Sequence, residues 1–397
     1  VSVHAARKHN REQALAAGPL VYHNGPVQRN PVSYLIFWGA SWNSGSGLTA
    51  DGQIARSYFQ NVGGTSYFKT LTQYGDTSGA ISASHTLGGV WIDSTGPGTD
   101  STCGGTTVQD SAIQAEITHA ISVNGWPTDG VNATYYVFTP SGMSVNDGQG
   151  ACSERFFCDY HKWSSSSGVA YAAIPYPNDL TACGAPLSPN GSSQGDSLAS
   201  IAAQAQFGAI TDPHAGSGWL DSGGYEIAVK CLWDLSAGPV TLANNTTFAL
   251  QSTYSNVTGA CITSYVSHFV ANPIALNVAS ATSTQNPPPQ QLTITNAGVA
   301  TMNWSLSSAL PGWLALDATS GLLTPGASKT LTATFNMPTS GATQTFSATL
   351  TFTDGNADNN PLIVPVTVVL ANVAKTWYFA EGFTGPNYTE YLTLANP

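Results

Sequence analysis

Two stretches of this chain hold residue types that can do chemistry. The first runs from Gln194 to Cys231 and contains Gln204, Asp212, His214 and Glu226. A helix stopped by Asp212-Pro213, then a loop bearing one acid, is the layout of zinc hydrolases, which set two ligands at i and i+4 and a third acid further on. Here the ligand positions hold Gln204, Ala205 and Gly208. Zinc takes imidazole, thiolate or carboxylate donors, and its water needs a carboxylate base. Gln is a poor ligand, Ala cannot be a base and Gly has no side chain. The expectation is an active-site frame whose helix packs into the core, with a degenerate cleft bordered by Glu226, His161, His214, Gln204 and Asp212. No metal, no cofactor and no catalytic residue is assigned.

The second stretch is Cys152-Ser153-Glu154-Arg155-Phe156-Phe157-Cys158-Asp159-Tyr160-His161. Cys158 and His161 form a conceivable nucleophile pair, but the reading preferred here is a disulfide-pinned loop with His161 facing the same pocket as Glu226. A serine nucleophile would call for a G-x-S-x-G elbow, which Gly216-Ser217-Gly218 does not match. Asp159, Asp212, Asp221 and Glu226 are candidates for paired carboxylates, although no spacing singles out a pair. Trp38, Trp42, Trp91, Trp126, Trp163 and Trp219 are candidates for stacking on sugars.

These residues need a scaffold. Leu198, Ile201, Ala205 and Ala209 fall near helical spacing, with Asp196 or Ser197 as N-cap and Pro213 as the stop. Val32–Trp38, Asn132–Thr139 and Gly168–Ile174 read as strands, and Ala80–Ile92 has strand-like alternation. Thr49–Val62, Phe68–Tyr74 and Val108–Val123 read as helices, the last with Ile113, Ile117 and Ile121 on one face. Strands separated by helices predict an α/β layered domain with a zincin-like frame over residues 1–271, closed by strands near Thr247–Ser255 and Ile262–Val270. Beyond it the helical pattern stops. Short β segments punctuated by Gly, Pro and Asn predict an all-β immunoglobulin-like sandwich over 272–371. A short β tail, 372–397, carries TWYFAEG and EYLTLAN, either the start of a further β module or donor strands for another body.

Composition narrows the setting. The chain has 397 residues, is 42% hydrophobic and only 8% charged, and carries a net charge of −11. All its Arg residues precede position 156. Nucleic acid is excluded as a partner, because phosphate contacts need clustered Lys and Arg. No apolar run is long enough to be a transmembrane segment. The cysteines, Cys103, Cys152, Cys158, Cys183, Cys231 and Cys261, are even in number and form no CxxC pair. Three disulfides and an oxidising compartment follow, with the pairing left open. A start at Val1 fits a processed, exported protein.

Taken together, several segments resemble the exordium or phosphate-induced-protein family. They are Tyr22-His23-Asn24-Gly25-Pro26 with Phe37-Trp38-Gly39; Tyr135-Tyr136-Val137-Phe138-Thr139; Glu154-Arg155-Phe156-Phe157-Cys158 with His161; Cys183; Pro189-Asn190-Gly191; Leu198–Ile210 with Thr211-Asp212-Pro213; and Glu226 with Cys231. They follow the family's order across residues 20–262. The resemblance implies a secreted cell-wall or cell-surface protein. It also implies that metal-bearing bacterial relatives carry a His-Glu helix where this chain has Gln204-Ala205, and an Asp where it has Val229. The second domain is similar to BACON-like, immunoglobulin-like modules of bacterial surface proteins, through Leu292–Gly298, Asn303-Trp304-Ser305 and Pro311-Gly312-Trp313-Leu314. Such modules imply a spacer or a carbohydrate-directed adhesin.

The resulting expectation is a secreted, extracellular bacterial protein, attached at the cell surface, that binds without turnover: a pseudoenzyme with a cell-wall polysaccharide or surface partner. Its rivals are a secreted, metallopeptidase-like hydrolase with an altered metal site, and a subunit of an extracellular fibre or surface layer that self-associates through its C-terminal β strands.

Overall fold

The structure, a computed structural model, describes residues 2–5, 18–128, 130–280, 286–338 and 342–371, with position 386. It divides into two units, residues 1–266 with 298–300 and residues 267–297 with 301–397. Among the described residues strand outweighs helix.

The first unit is built on a six-stranded sheet. Its strands are β1 (Ser2–Ala5), β2 (Val32–Trp38), β3 (Thr86–Asp93), β4 (Ala133–Phe138), β5 (Phe157–Ser164) and β6 (Val169–Ile174). The order is β1-β5-β6-β4-β2-β3. Strands β6, β4, β2 and β3 run parallel, and β5 is antiparallel to both neighbours. β2, β4 and β6 are near-continuous apolar runs, as expected of strands covered on both faces. Alternation sends Leu35, Phe37, Tyr136 and Phe138 to one core, and Tyr34, Ile36, Trp38, Tyr135 and Val137 to the other. The register sets Phe37 opposite Phe138 and Tyr34 opposite Tyr135, and both pairs stack, with centroids 4.6 and 4.9 Å apart.

Helices cover both faces. α1 (Ala50–Asn61) and α3 (Ser193–Thr211) share the core of Leu35 and Phe37, while α2 (Asp110–Asn124) places Ile113, Ile117 and Ala120 against Tyr34 and Ile36. Thr49 caps α1 through the Gly52 N–H, as its position predicts. α3 starts earlier than its apolar spacing predicts. Ser192, rather than Asp196 or Ser197, is the N-cap, accepting from the Gly195 N–H. Asp196 lies inside the helix, where the Asn190 backbone and side-chain N–H groups occupy its carboxylate. Small residues let α3 sit close to its neighbours, and every residue from Gly195 to Thr211 is buried.

β5 covers the end of a stretch expected as a loop. It is a strand between β1 and β6. Its alternation was hidden because the buried positions include Asp159 and His161. The disulfides are Cys103–Cys152, Cys158–Cys183 and Cys231–Cys261. Bonding to Cys183 commits the Cys158 sulfur, so Cys158 and His161 do not form a nucleophile pair.

The second unit is a two-sheet sandwich. Its strands are β7 (Phe269–Asn272), β8 (Leu276–Ser280), β9 (Gln290–Asn296), β10 (Met302–Leu306), β11 (Leu314–Leu316), β12 (Ser320–Leu323), β13 (Ser328–Phe335), β14 (Gln344–Thr353) and β15 (Leu362–Leu370). One sheet is β7-β9-β13-β11 and the other β8-β15-β14-β10-β12. β7 pairs with β9, so it opens this unit rather than closing the first, as its sequence position had suggested. Trp304 fills the middle of the core. It fits because its cross-strand partner is Gly321, where an added Cβ would lie 3.0 Å from the indole Nε1. The tail strands expected beyond residue 371 lie outside the described residues. Among the described residues no helix is long and apolar enough to cross a membrane.

Candidate functional site

Of the expected cleft residues, His161, Glu226 and Asp212 come together, inside the core. His161 is carried by β5, Gly208 by α3 and Glu226 by the loop after Asp221. His161 Nε2 lies 3.5 Å from Glu226 Oε1 and 3.0 Å from the Asp212 carbonyl oxygen. Their side chains are 0% and 1% exposed, so the pair is closed to solvent, and the open cleft expected here is not what these residues form. The gap that admits both side chains is Gly208. A Cβ at that position would sit 2.6 Å from Glu226 Oε2 and 2.9 Å from His161 Cε1. Gln204 lies one helical turn earlier on the same face. It is buried, and its Nε2 has no hydrogen-bond partner.

Local structure explains how Glu226 is delivered. Asp221 Oδ1 accepts from the Gly223 and Tyr225 N–H groups, while its Oδ2 lies 2.6 Å from Lys230 Nζ in a pair that is 0% exposed on both sides. Lys230 also donates to the Gly18 carbonyl and lies over the Tyr254 ring. The Cys231–Cys261 disulfide holds the far side of this turn. Asp212 organises the preceding loop, its carboxylate accepting from the Gly216, Ser217 and Gly218 N–H groups. Burial, then the nearby Glu226 charge, raises the Asp212 pKa, against the opposing effect of its backbone hydrogen bonds and of His161. His214 stands apart, half-buried against Trp163 with ring centroids 4.0 Å apart, and burial lowers its pKa. Asp221 is committed to Lys230 rather than to a carboxylate pair with Glu226.

An open feature lies beyond the same loop. The Tyr22-His23-Asn24-Gly25 segment runs along residues 217–220. Tyr22 is paired with Trp219, the His23 N–H donates to the Gly218 carbonyl, and the Gly25 N–H donates to that of Ser217. Gly25 is required here, because an added Cβ would fall 2.2 Å from Ser217 Oγ. The result is an open depression of ≈ 450 Å³ bordered by Tyr22, Gln73, Tyr74, Asp76 and Trp219. The Trp219 ring is 5.6 Å from Tyr22 and 5.2 Å from Tyr74, and its Nε1 donates to the Gly75 carbonyl. Of the tryptophans offered above for stacking on sugars, Trp219 borders this depression, while Trp42 is buried in the core.

A third grouping escaped the sequence reading. Asp93, at the end of β3, meets Glu116 and His119 of α2, with one donor atom from each within 4.8 Å of the others. Among the described residues this is the set of His, Cys, Asp or Glu donors that gathers three ligating atoms in this way. The Glu-x-x-His spacing on a helix was visible in the sequence; the strand end that completes the set was not. Burial first, and Asp93 second, push the Glu116 pKa up to about 8.

No protein-family model matches the chain, and no curated protein does. Solved structures give partial likenesses. A PapD-like domain of human CEP192 covers 27% of this chain and 88% of its own, at 12% identity and a TM-score of 0.23. A xyloglucanase from Bacteroides ovatus covers 26% of this chain and 19% of its own, at 15% identity and 0.20. An MSP-domain-like protein from Caenorhabditis elegans covers 25% and 97%, at 17% identity and 0.20. These values are too low to carry a functional argument.

Proposed function

We propose that this chain is a secreted, extracellular binding protein without turnover, and that its ligand is a surface polysaccharide taken up at the Tyr22/Trp219 depression. On this reading the first unit is an exordium-like, zincin-like frame whose helix has lost its donor set, and the second is a BACON-like spacer or attachment module. The observation that carries it is a contrast. His161 and Glu226 meet over Gly208 with both side chains closed to solvent, whereas Tyr22 and Trp219 border an open, aromatic-walled depression with Asp76 and Gln73 at hand. Aromatic faces beside a few polar groups suit the apolar faces and hydroxyls of a sugar ring. Three disulfides fit an oxidising, extracellular setting.

The test is retention on insoluble cell-wall polysaccharides, with Trp219→Ala beside the parent chain. The parent is expected to be retained and Trp219→Ala to bind about tenfold or more weakly, a loss of about 1.4 kcal/mol or more. Equal retention of both would remove the depression from the reading. Hydrolysis of a peptide or glycan substrate, abolished in Glu226→Ala, would replace it with the hydrolase reading.

A further inference from the structure

The remaining titratable cluster is where β3 ends against α2. His119 Nδ1 lies 3.6 Å from Asp93 Oδ2 and 3.6 Å from Glu116 Oε2. Both separations are too long for hydrogen bonds. They are close to the ~3.4 Å that separates ligand atoms around a four-coordinate ion with bonds of about 2.1 Å. Glu116 and His119 are one turn apart on α2, which puts both on one face. The two carboxylates are 4% and 5% exposed and His119 is 48% exposed, so the set has a buried floor and a solvent-facing side.

One observation points to a ligand there. Glu116 Oε1 is buried and has no hydrogen-bond partner, an expensive condition for a polar atom in a core. The Asp93 carboxylate that faces it is held in place, its Oδ1 accepting from the Thr95 N–H and its Oδ2 from the Thr95 hydroxyl. A rigid carboxylate, a second with an idle buried oxygen and an imidazole at the rim make a divalent-cation set with a position left for water or an external ligand. We infer that Asp93, Glu116 and His119 bind one divalent transition-metal ion, zinc being the best match to two carboxylates and an imidazole at this spacing. This centre is separate from His161 and Glu226 and does not depend on the function proposed above.

The test uses the full chain, stripped with chelator and titrated with zinc chloride by calorimetry, with thermal unfolding followed in parallel. One zinc per chain is expected, with a rise in Tm. His119→Ala, a change at an exposed ring, should weaken binding about tenfold or more, and Glu116→Gln should do the same. Parallel unfolding of the zinc-free variants separates loss of a ligand from loss of fold: His119→Ala should match the stripped parent in Tm. Absence of stoichiometric zinc binding by the parent would overturn the inference. So would binding of equal strength in His119→Ala, which would locate the ion elsewhere, or in Glu116→Gln, which would leave Glu116 and Asp93 as two carboxyl groups sharing a proton.

Discussion

Gly208 and Glu226 compete for one space: a β-carbon on the first would stand 2.6 Å from Oε2 of the second. Gly208 is thus the helix position whose missing side chain lets the acid of the following loop enter the core. Gly208→Ala should destabilise the fold by about 1–3 kcal/mol through overpacking. Gly208→Ala combined with Glu226→Ala should lose less than the sum of the two single changes. Denaturant unfolding of the four chains measures this, and strict additivity would contradict the steric relationship.

Gln204, one turn before Gly208 on the same helix, has its Nε2 idle in the core. An unsatisfied buried amide costs about 1–3 kcal/mol. Gln204→Met, close in volume and apolar, is therefore expected to raise stability by roughly 1 kcal/mol. A loss of stability on this change would mean that the amide is used.

The Asp221–Lys230 pair anchors the turn that delivers Glu226, and both side chains are fully buried. Lys230→Met leaves the Asp221 charge without its counter-ion and should cost about 3–5 kcal/mol. Changing both residues to apolar ones should cost much less for the charge itself, the remainder reporting the backbone N–H groups that Asp221 accepts. Chemical denaturation of the single and double variants separates these contributions.

His85 gives a pH dependence with a definite sign. Burial lowers its pKa from 6.5 to about 4, partly offset by the Phe59 backbone, and its Nε2 lies 2.9 Å from Ser33 Oγ. The folded chain therefore resists a proton that the unfolded chain accepts. The stability from neutral His85 is present above pH 6.5 and is lost as the pH falls from there toward 4. In His85→Gln this part of the stability–pH curve should flatten, and an unchanged slope would assign the acid sensitivity to other groups.

The disulfides divide the first unit into loops of unequal length. Cys103–Cys152 spans 49 residues and Cys158–Cys183 spans 25. Removing either bond, with Ala at both cysteines, should cost about 3–4 kcal/mol, the longer loop slightly more on the chain-entropy model. Thermal unfolding of the paired variants provides the comparison.

Much of the frame was legible in the sequence. Apolar runs such as VSYLIFW announce strands covered on both faces, Thr49 announces a helix start, and the change of pattern after Ile274 announces a β-sandwich. These signals are local: side-chain periodicity, capping chemistry and turn residues act within a few positions. β5 was missed because its buried positions carry Asp159 and His161, whose burial depends on partners far along the chain.

The site divides along the same line. Sequence alone selected Gln204, Asp212, His214, Glu226 and His161 as neighbours, of which His214 stands apart, and showed that the helix lacked metal donors, because donor chemistry is a property of each side chain. Only the tertiary structure decided that His161 and Glu226 are sealed against Gly208, that Cys158 is joined to Cys183, that Trp219 borders a depression with Tyr22, and that Asp93 meets Glu116 and His119. Each of these relations is set by sheet order and by how closely a helix approaches the sheet. Both arise from packing the whole core at once, and no short stretch of residues encodes them.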